Sequence, residues 1–142
     1  MHMLRERTLL LSIKDLSDTD TLKRLRARIL IQMQPPYRYD GMLELRDDML
    51  VYEGKDILNN NVRLELIIRL KDITSIRLGY DDIFTGKDSK GKSYQIKPIR
   101  ISYSKEGVND TVYIFPEFKG LLRAGSSEEV YKVLMDTMKS RV

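Results

Sequence analysis

The sequence predicts a mainly β protein, an antiparallel barrel of about seven strands capped by one C-terminal α-helix. Three observations support this prediction. Short segments alternate apolar with polar residues, turn-forming residues separate them at intervals of about ten residues, and an amphipathic helical pattern closes the chain. Because 142 residues is the size of a single domain, we predict one domain over residues 1–142, with an N-terminal arm over residues 1–26.

Strand patterns dominate the middle of the sequence. Residues 41–45 and 50–52 flank a polar link of hairpin length, residues 46–49. The clearest strand covers residues 62–71, where an apolar residue stands at every second position, which predicts one buried and one solvated face. Three consecutive asparagines in residues 56–61 indicate a turn before it.

The second half of the chain contains three more strand patterns and the helix. Residues 73–78, 99–103 and 111–115 are predicted strands, and residues 105–107 form a turn between the last two. The helix begins at a capping box, in which Ser126 is followed three residues later by a glutamate. Its apolar residues recur at helical spacing: Val130, Val133, Leu134 and Met138.

The N-terminal third contains two weaker patterns. Residues 19–25 are typical of a short helix, with Asp18 or Thr19 as its cap. Residues 27–34 alternate instead, which favours a strand that ends at the two prolines 35 and 36.

The composition excludes several kinds of site. The chain has no cysteine and one histidine, His2, in a Met-His-Met start that is typical of a cloning remnant. Disulfides, cysteine ligands and Cys-His nucleophile pairs are therefore excluded, and a Ser-His pair would have to use His2. We predict a non-catalytic protein without cofactor or metal. The absence of cysteine and of signal-peptide or membrane-span patterns favours a cytoplasmic location.

The net charge of +4 is unevenly distributed along the chain. Residues 1–28 carry +3, residues 29–84 carry −3, residues 85–100 carry +4, and residues 101–142 are neutral. Local positive charge of this kind suits phosphate-bearing or acidic partners. The basic run at residues 23–28 lacks any nucleic-acid recognition pattern, so we interpret it as a solvated face and predict no nucleic-acid partner.

Several of these segments resemble GRAM domains, which belong to the pleckstrin-homology (PH) superfold. The hairpin pattern of residues 41–45 and 50–52 is similar to a GRAM hairpin. Residues 68–76 resemble the Ile-Pro-Leu-x-Asp-Ile-x-x-Ile segment, with Arg69 in place of the proline, and residues 113–118 resemble a Phe-x-Ser-Phe strand end without its serine. The resemblance extends from about residue 27 to about residue 138.

This resemblance implies a PH-like barrel that acts as an adaptor for phosphoinositides or proteins and carries no catalysis. In lipid-binding members the basic residues lie chiefly around the first hairpin. The link matched to that hairpin here, residues 35–40, offers only Arg38 beside an acidic residue. The resemblance therefore favours a protein or peptide partner, added along a sheet edge. Tyrosines in or near loops are the candidate exposed interface residues: Tyr37, Tyr39, Tyr80 and Tyr94.

A phosphate-loop pattern, G-x-x-x-x-G-K-[ST], matches residues 86–93. That motif requires a helix directly after it, whereas Pro98 and an alternating segment follow here, so a nucleotide-binding enzyme is the least favoured alternative. We interpret the segment as a lysine-rich hairpin loop. The second alternative is a peripheral membrane module, whose anion contacts would be Lys87, Lys90, Lys92, Lys97 and Arg100.

Overall fold

A computed structural model describes residues 5–18, 20, 21, 23, 37–78, 85–87, 93–95, 98–116 and 127–139. The strands are β1 (Arg5–Ser12), β2 (Tyr39–Arg46), β3 (Met49–Asp56), β4 (Val62–Arg69), β5 (Ile73–Leu78), β6 (Thr85–Lys87), β7 (Ser93–Gln95), β8 (Ile99–Lys105) and β9 (Val108–Pro116). The helices are α1 (Ile13–Ser17) and α2 (Ser127–Lys139), and a 3-10 helix (Leu70–Asp72) joins β4 to β5.

Seven of these strands form one antiparallel sheet in the order β4-β3-β2-β1-β9-β8-β5. β1 lies at its centre, paired with β2 on one side and with β9 on the other. The two edge strands, β4 and β5, follow each other directly in the chain. The sheet is curled into a half-barrel. β6 and β7 form a separate two-stranded ribbon.

The inner face of the curled sheet holds the main core, which α2 closes. The helix packs against β5 and β9 through Val130 and Leu134, which are essentially inaccessible to solvent. Inside the same core the Tyr52 hydroxyl donates a hydrogen bond to the Thr8 carbonyl at 2.8 Å, and burial raises the pKa of Tyr52 well above its ordinary value. The sheet and the helix thus share one apolar interior.

A second apolar cluster lies on the outer face of β1 and β9. It consists of Leu9, Leu11, Tyr37, Tyr113 and Phe115, and partly buried residues of α1 and of the β3–β4 turn pack against it. β1 is therefore buried on both faces, as a central strand between two layers must be. Three consecutive leucines at residues 9–11 supply apolar groups to both sides.

Gly41 permits the backbones of β2 and β3 to approach each other closely. It pairs directly with Gly54, and a Cβ atom at position 41 would lie 2.0 Å from the Glu53 carbonyl oxygen. Such a distance is far inside van der Waals contact, so no side chain fits. The glycine that opens the hairpin pattern is thus required for packing, and no positive φ is involved.

The predicted mainly β fold and its C-terminal helix are confirmed. The strand predictions at 41–45, 50–52, 73–78, 99–103 and 111–115 all fall inside observed strands. The strand predicted over 62–71 ends at Arg69, because the chain turns there into the 3-10 helix. The face of this strand that was predicted to be buried is fully buried only near its C-terminal end, because Ile68 is buried whereas Val62 is 54% exposed.

The N-terminal third differs more from the predictions. Residues 5–12, assigned to an arm, form the central strand of the sheet. In the predicted helix 19–25, the described residues 20, 21 and 23 are helical, and the Asp18 carboxylate accepts hydrogen bonds from two of their backbone N–H groups. The strand predicted over residues 27–34 lies outside the described residues.

The burial of β1 predicts a specific loss of stability. Leu11→Ala should lower the free energy of unfolding by about 3 kcal/mol, because it removes a side chain that is fully buried in the outer cluster. Urea unfolding followed by circular dichroism measures the loss. Val108→Ala is the matched control, since Val108 is 60% exposed and its truncation should cost little. Equal values for the two variants would contradict a two-sided burial of β1.

Candidate functional site

Of the four tyrosines predicted as exposed interface residues, the structure describes the side chains of Tyr37 and Tyr39. Tyr37 is only 8% exposed and belongs to the outer cluster, so its prediction as an exposed anchor is wrong. It is buried because β1 and β9 present apolar side chains on that face. Tyr39 is half-buried in β2, Tyr94 pairs with Gly86 in the β6–β7 ribbon, and Tyr80 lies outside the described residues.

Three of the five residues predicted to contact anions lie outside the described residues: Lys90, Lys92 and Lys97. Lys87 is the last residue of β6. Arg100 lies in β8, with its guanidinium carbon 5.8 Å from the centre of the Tyr113 ring. At this distance the cation can interact favourably with the aromatic face.

The phosphate-loop pattern at residues 86–93 is followed by a strand, at the position where phosphate binding requires a helix. Its first glycine, Gly86, lies in β6, and its last residue, Ser93, begins β7. The two strands are antiparallel and pair Lys87 with Ser93. The described residues that follow the motif therefore present no helix N terminus to a phosphate group.

Arg38 is the centre of a partly buried ionic cluster. Its Nε and Nη2 atoms donate to the two carboxylate oxygens of Asp56, both at 3.0 Å, and its Nη1 donates to Asp15 at 2.7 Å. The Asp15 carboxylate also accepts a hydrogen bond from the Ser12 N–H, and the Asp56 carboxylate accepts one from the Leu58 N–H. The cluster thereby ties α1, the start of β2 and the end of β3 together.

The two carboxylates engage three donor atoms of Arg38. Hydrogen bonds to Asp56 are the largest cause of a raised pKa for Arg38, with burial opposing the shift and Asp15 adding to it. Arg38, the one basic residue of the link at residues 35–40, is therefore paired with carboxylates of the same chain. In the described sheet, residues 13–38 separate β1 from β2, and Arg38 lies directly before β2.

The free edge of β4 is the clearest candidate interaction surface. β4 pairs with β3 over eight consecutive residues without a bulge, and among the described residues no strand pairs with its other side. β5, the opposite edge, differs: it has a bulge between Ile73 and Ser75, and α2 packs against it. A bulge and a covering helix protect a sheet edge from further pairing, whereas a regular edge accepts another strand.

The backbone groups that face this edge follow from the hydrogen-bond register. The Leu70 N–H donates to the Asp48 carbonyl at 2.8 Å, which continues the β3–β4 register by one pair. Hydrogen-bonded pairs alternate along an antiparallel ladder, so the even-numbered residues of β4 bond to β3. The N–H and C=O groups directed at the free edge belong to Arg63, Glu65, Ile67 and Arg69.

The side chains along β4 are both apolar and charged. Val62 and Ile67 are among the exposed large apolar residues, and Leu64 and Leu66 are half-buried on the inner face. On the outer face Glu65 stands directly opposite Glu53 of β3. Among the described residues Arg63 pairs with Glu53 at 3.7 Å, and no cation lies within ion-pair distance of Glu65.

Two shallow depressions adjoin this strand. The first, of about 470 Å³, lies on the outer face of β2–β4, and the opposite charges that line it, such as Arg5 with Glu44 at 3.2 Å, pair with one another. The second, of about 510 Å³, separates the C-terminal half of β4 from Lys105 at the end of β8 and Glu106 in the β8–β9 turn. The turn therefore approaches the C-terminal half of β4, and among the described residues no element pairs with the free side of the N-terminal half.

The part of the chain that the structure describes contains no group of three His, Asp or Glu residues arranged to hold a metal ion. Within the same residues no helix is long and apolar enough to cross a membrane. Comparisons with known proteins found no family model, no curated protein and no solved structure that matches this chain.

The Arg38 cluster predicts a structural rather than a ligand-binding role. Arg38→Met should lower the free energy of unfolding by about 3 kcal/mol, because it leaves Asp15 and Asp56 buried without their cation. Urea unfolding at neutral pH measures this loss. Arg46→Met, which removes an exposed arginine paired with Glu44, is the matched control and should cost about 0.5 kcal/mol or less. A similar small loss for both variants would show that the Arg38 pairs contribute little.

Proposed function

We propose that the protein is a non-catalytic, cytoplasmic interaction module of PH-like architecture that binds an extended segment of a protein partner along the free edge of β4. The observation that carries this proposal is the regular, unprotected edge itself. Four residues of β4 direct backbone groups at this edge, and no strand in the described part of the chain pairs with them. An added strand therefore gains main-chain hydrogen bonds without any change in the sheet.

The side chains of β4 support selective binding of such a segment. Val62, Leu64 and Leu66 offer apolar contacts on the inner face, which a partner strand would shield from water. On the outer face Arg63, Glu65 and Arg69 alternate in sign, and cross-strand pairs of opposite charge are favoured over like charges. The edge thus favours a partner strand with apolar residues at every second position and complementary charges between them.

The architecture supports a PH-like assignment. A curled antiparallel sheet of seven strands with a C-terminal helix is the arrangement that the resemblance to GRAM domains implies. The segments that carry the resemblance lie at the β2–β3 hairpin, at the β4–β5 corner and at the end of β9. Adaptor function by strand addition is a recognised mode for folds with open sheet edges.

Proline substitution on the edge tests the proposal. Peptides selected from a random displayed library against the unmodified protein should bind Glu65→Pro at least about tenfold more weakly, because proline removes an N–H that faces the edge. Glu65→Ala retains that N–H and should keep the affinity for most selected peptides within about threefold. Affinities are measured by fluorescence anisotropy with labelled peptides, after circular dichroism has shown that both variants are folded.

Two results would overturn the proposal. One is equal affinity of the proline and alanine variants for the selected peptides. The other is a set of backbone amide chemical-shift changes, measured with a bound peptide, that leaves β4 unaffected and falls on another element.

A second candidate function is binding to anionic lipid surfaces through the basic segment at residues 87–97. The observation that favours it is the β6–β7 ribbon, whose register pairs Lys87 with Ser93. The five residues between them include Lys90 and Lys92, and the sequence from 85 to 100 carries +4. A segment of the sequence with this charge suits a negatively charged membrane surface.

Charge reversal tests this second candidate. Lys90→Glu combined with Lys92→Glu should reduce co-sedimentation with vesicles that contain phosphatidylserine, and the reduction should shrink as salt is raised. Lys55→Glu, on β3, is a control of half the charge change at an exposed site outside the segment. Co-sedimentation that is unaffected by the double reversal would remove this candidate.

A further inference from the structure

We infer that the partner strand received by β4 is β4 of a second copy of this chain, paired antiparallel about Leu64. This inference rests on the proposed function, since it uses the same free edge and names its occupant. The pairing would join the two seven-stranded sheets of a symmetric dimer into one continuous sheet.

The direction of the backbone groups restricts the possible registers. Odd-numbered residues of β4 face the free edge, so hydrogen-bonded pairs between two copies must join odd residues to odd residues. Neighbouring allowed registers are related by a shift of one strand along the other by two residues. Side-chain charge on the outer face then distinguishes among them.

The register centred on Leu64 places opposite charges together twice. Arg63 stands opposite Glu65 of the second copy, and Glu65 stands opposite Arg63 of the second copy. The next register would place the two Glu65 side chains opposite each other, and the one after it would place Arg63 opposite Arg69 of the second copy twice. Like charges directly opposite are destabilising, so the Leu64-centred register is favoured over both.

A register centred on Ile67 also pairs opposite charges, Glu65 with Arg69 of the second copy. It brings Arg63 opposite Lys71 of the second copy, however, and it uses the C-terminal half of β4. That half lies beside the β8–β9 turn, across the depression lined by Lys105 and Glu106. The Leu64-centred register uses only residues 62–66 of each copy, which lie on the open half of the edge.

The same register covers the apolar residues that a single copy leaves exposed. Val62, 54% exposed, stands opposite Leu66 of the second copy, and the two Leu64 side chains meet at the symmetry axis. On the outer face the incoming Arg63 supplies a cation to Glu65, which in one copy faces Glu53 across β3. Pairing thus shields apolar surface and relieves a like-charge pair in one step.

The contact is small, so the dimer is expected to be weak and in exchange with monomer. Five residue pairs of two edge strands bury less surface than the roughly 1,600 Å² of a standard stable interface. Sedimentation velocity should therefore show a weight-average mass that rises with concentration between about 10 μM and 1 mM.

Single cysteines test the register directly, because the chain has no cysteine of its own. Leu64→Cys should form an intermolecular disulfide under mild oxidation, since residues opposite each other in a non-hydrogen-bonded pair have Cβ atoms about 5 Å apart. Val62→Cys is the matched control, on the same strand, on the same face and more exposed. Its two sulfurs would lie about 13 Å apart along the strands, so it should cross-link several-fold more slowly.

Charge exchange tests the same register without oxidation. Arg63→Glu and Glu65→Arg should each abolish self-association, because each creates two like-charge pairs. A mixture of the two variants should associate, as should the double variant Arg63→Glu/Glu65→Arg. Arg77→Glu, on the opposite sheet edge, is the control and should leave self-association unchanged.

Two outcomes would overturn the inference: unmodified protein that stays monomeric at about 1 mM, or Val62→Cys cross-linking as fast as Leu64→Cys. Neither outcome touches the proposed function if selected peptides still distinguish Glu65→Pro from Glu65→Ala. If the selected peptides bind Glu65→Pro and Glu65→Ala with equal affinity, the proposed function is contradicted, whether or not the protein dimerises.

Discussion

Strand β1 is the central strand of the sheet, and apolar side chains pack against both of its faces. On the inner face its residues join the core that α2 closes. On the outer face Leu9 and Leu11 lie under Tyr37 and against β9. Arg38 follows Tyr37 directly and binds Asp15 of α1 and Asp56 at the end of β3. The ionic cluster thus fixes the segment that covers the outer face, and polar and apolar contacts depend on each other there.

The strand order of the sheet determines which strands lie at its edges. Gly41 allows close approach of β2 and β3, and the two edge strands of the curled sheet are consecutive elements of the chain. The edges are then protected unequally. β5 has a bulge and packs against the helix, whereas β4 is regular, and in the described part of the chain its charged side chains are what opposes unselective pairing. In the proposed function, these charges are what selects a partner strand that carries complementary charges.

Most of the sheet could be predicted from sequence because its strands alternate apolar and polar residues and are separated by recognisable turns. β1 could not, since a strand buried on both faces shows a continuous apolar run, and residues 9–11 offer only three leucines without alternation. The burial of Tyr37 was missed for the same reason, because the cluster that covers it includes β1. The open edge of β4 has no local signal either: edges are set by strand order, which depends on pairing between distant segments. The alternating pattern of β4 was nevertheless visible, and so was its mixture of charges.

The pairing of β1 with β9 has a consequence for how the chain folds. Strands β2 to β4 are joined by short turns and can pair as soon as they are made, whereas β1 and β9 come from opposite ends of the described chain. Closing so long a loop costs entropy before any contact compensates for it, and chains dominated by such contacts fold slowly. Before β1 pairs, its leucines and the apolar face of β9 are open to water. The β2–β4 meander then has two unpaired edges, at β2 and at β4, instead of the single free edge at β4. We therefore expect the pairing of β1 with β9 to be a late step, before which these apolar strands are open to association with other chains.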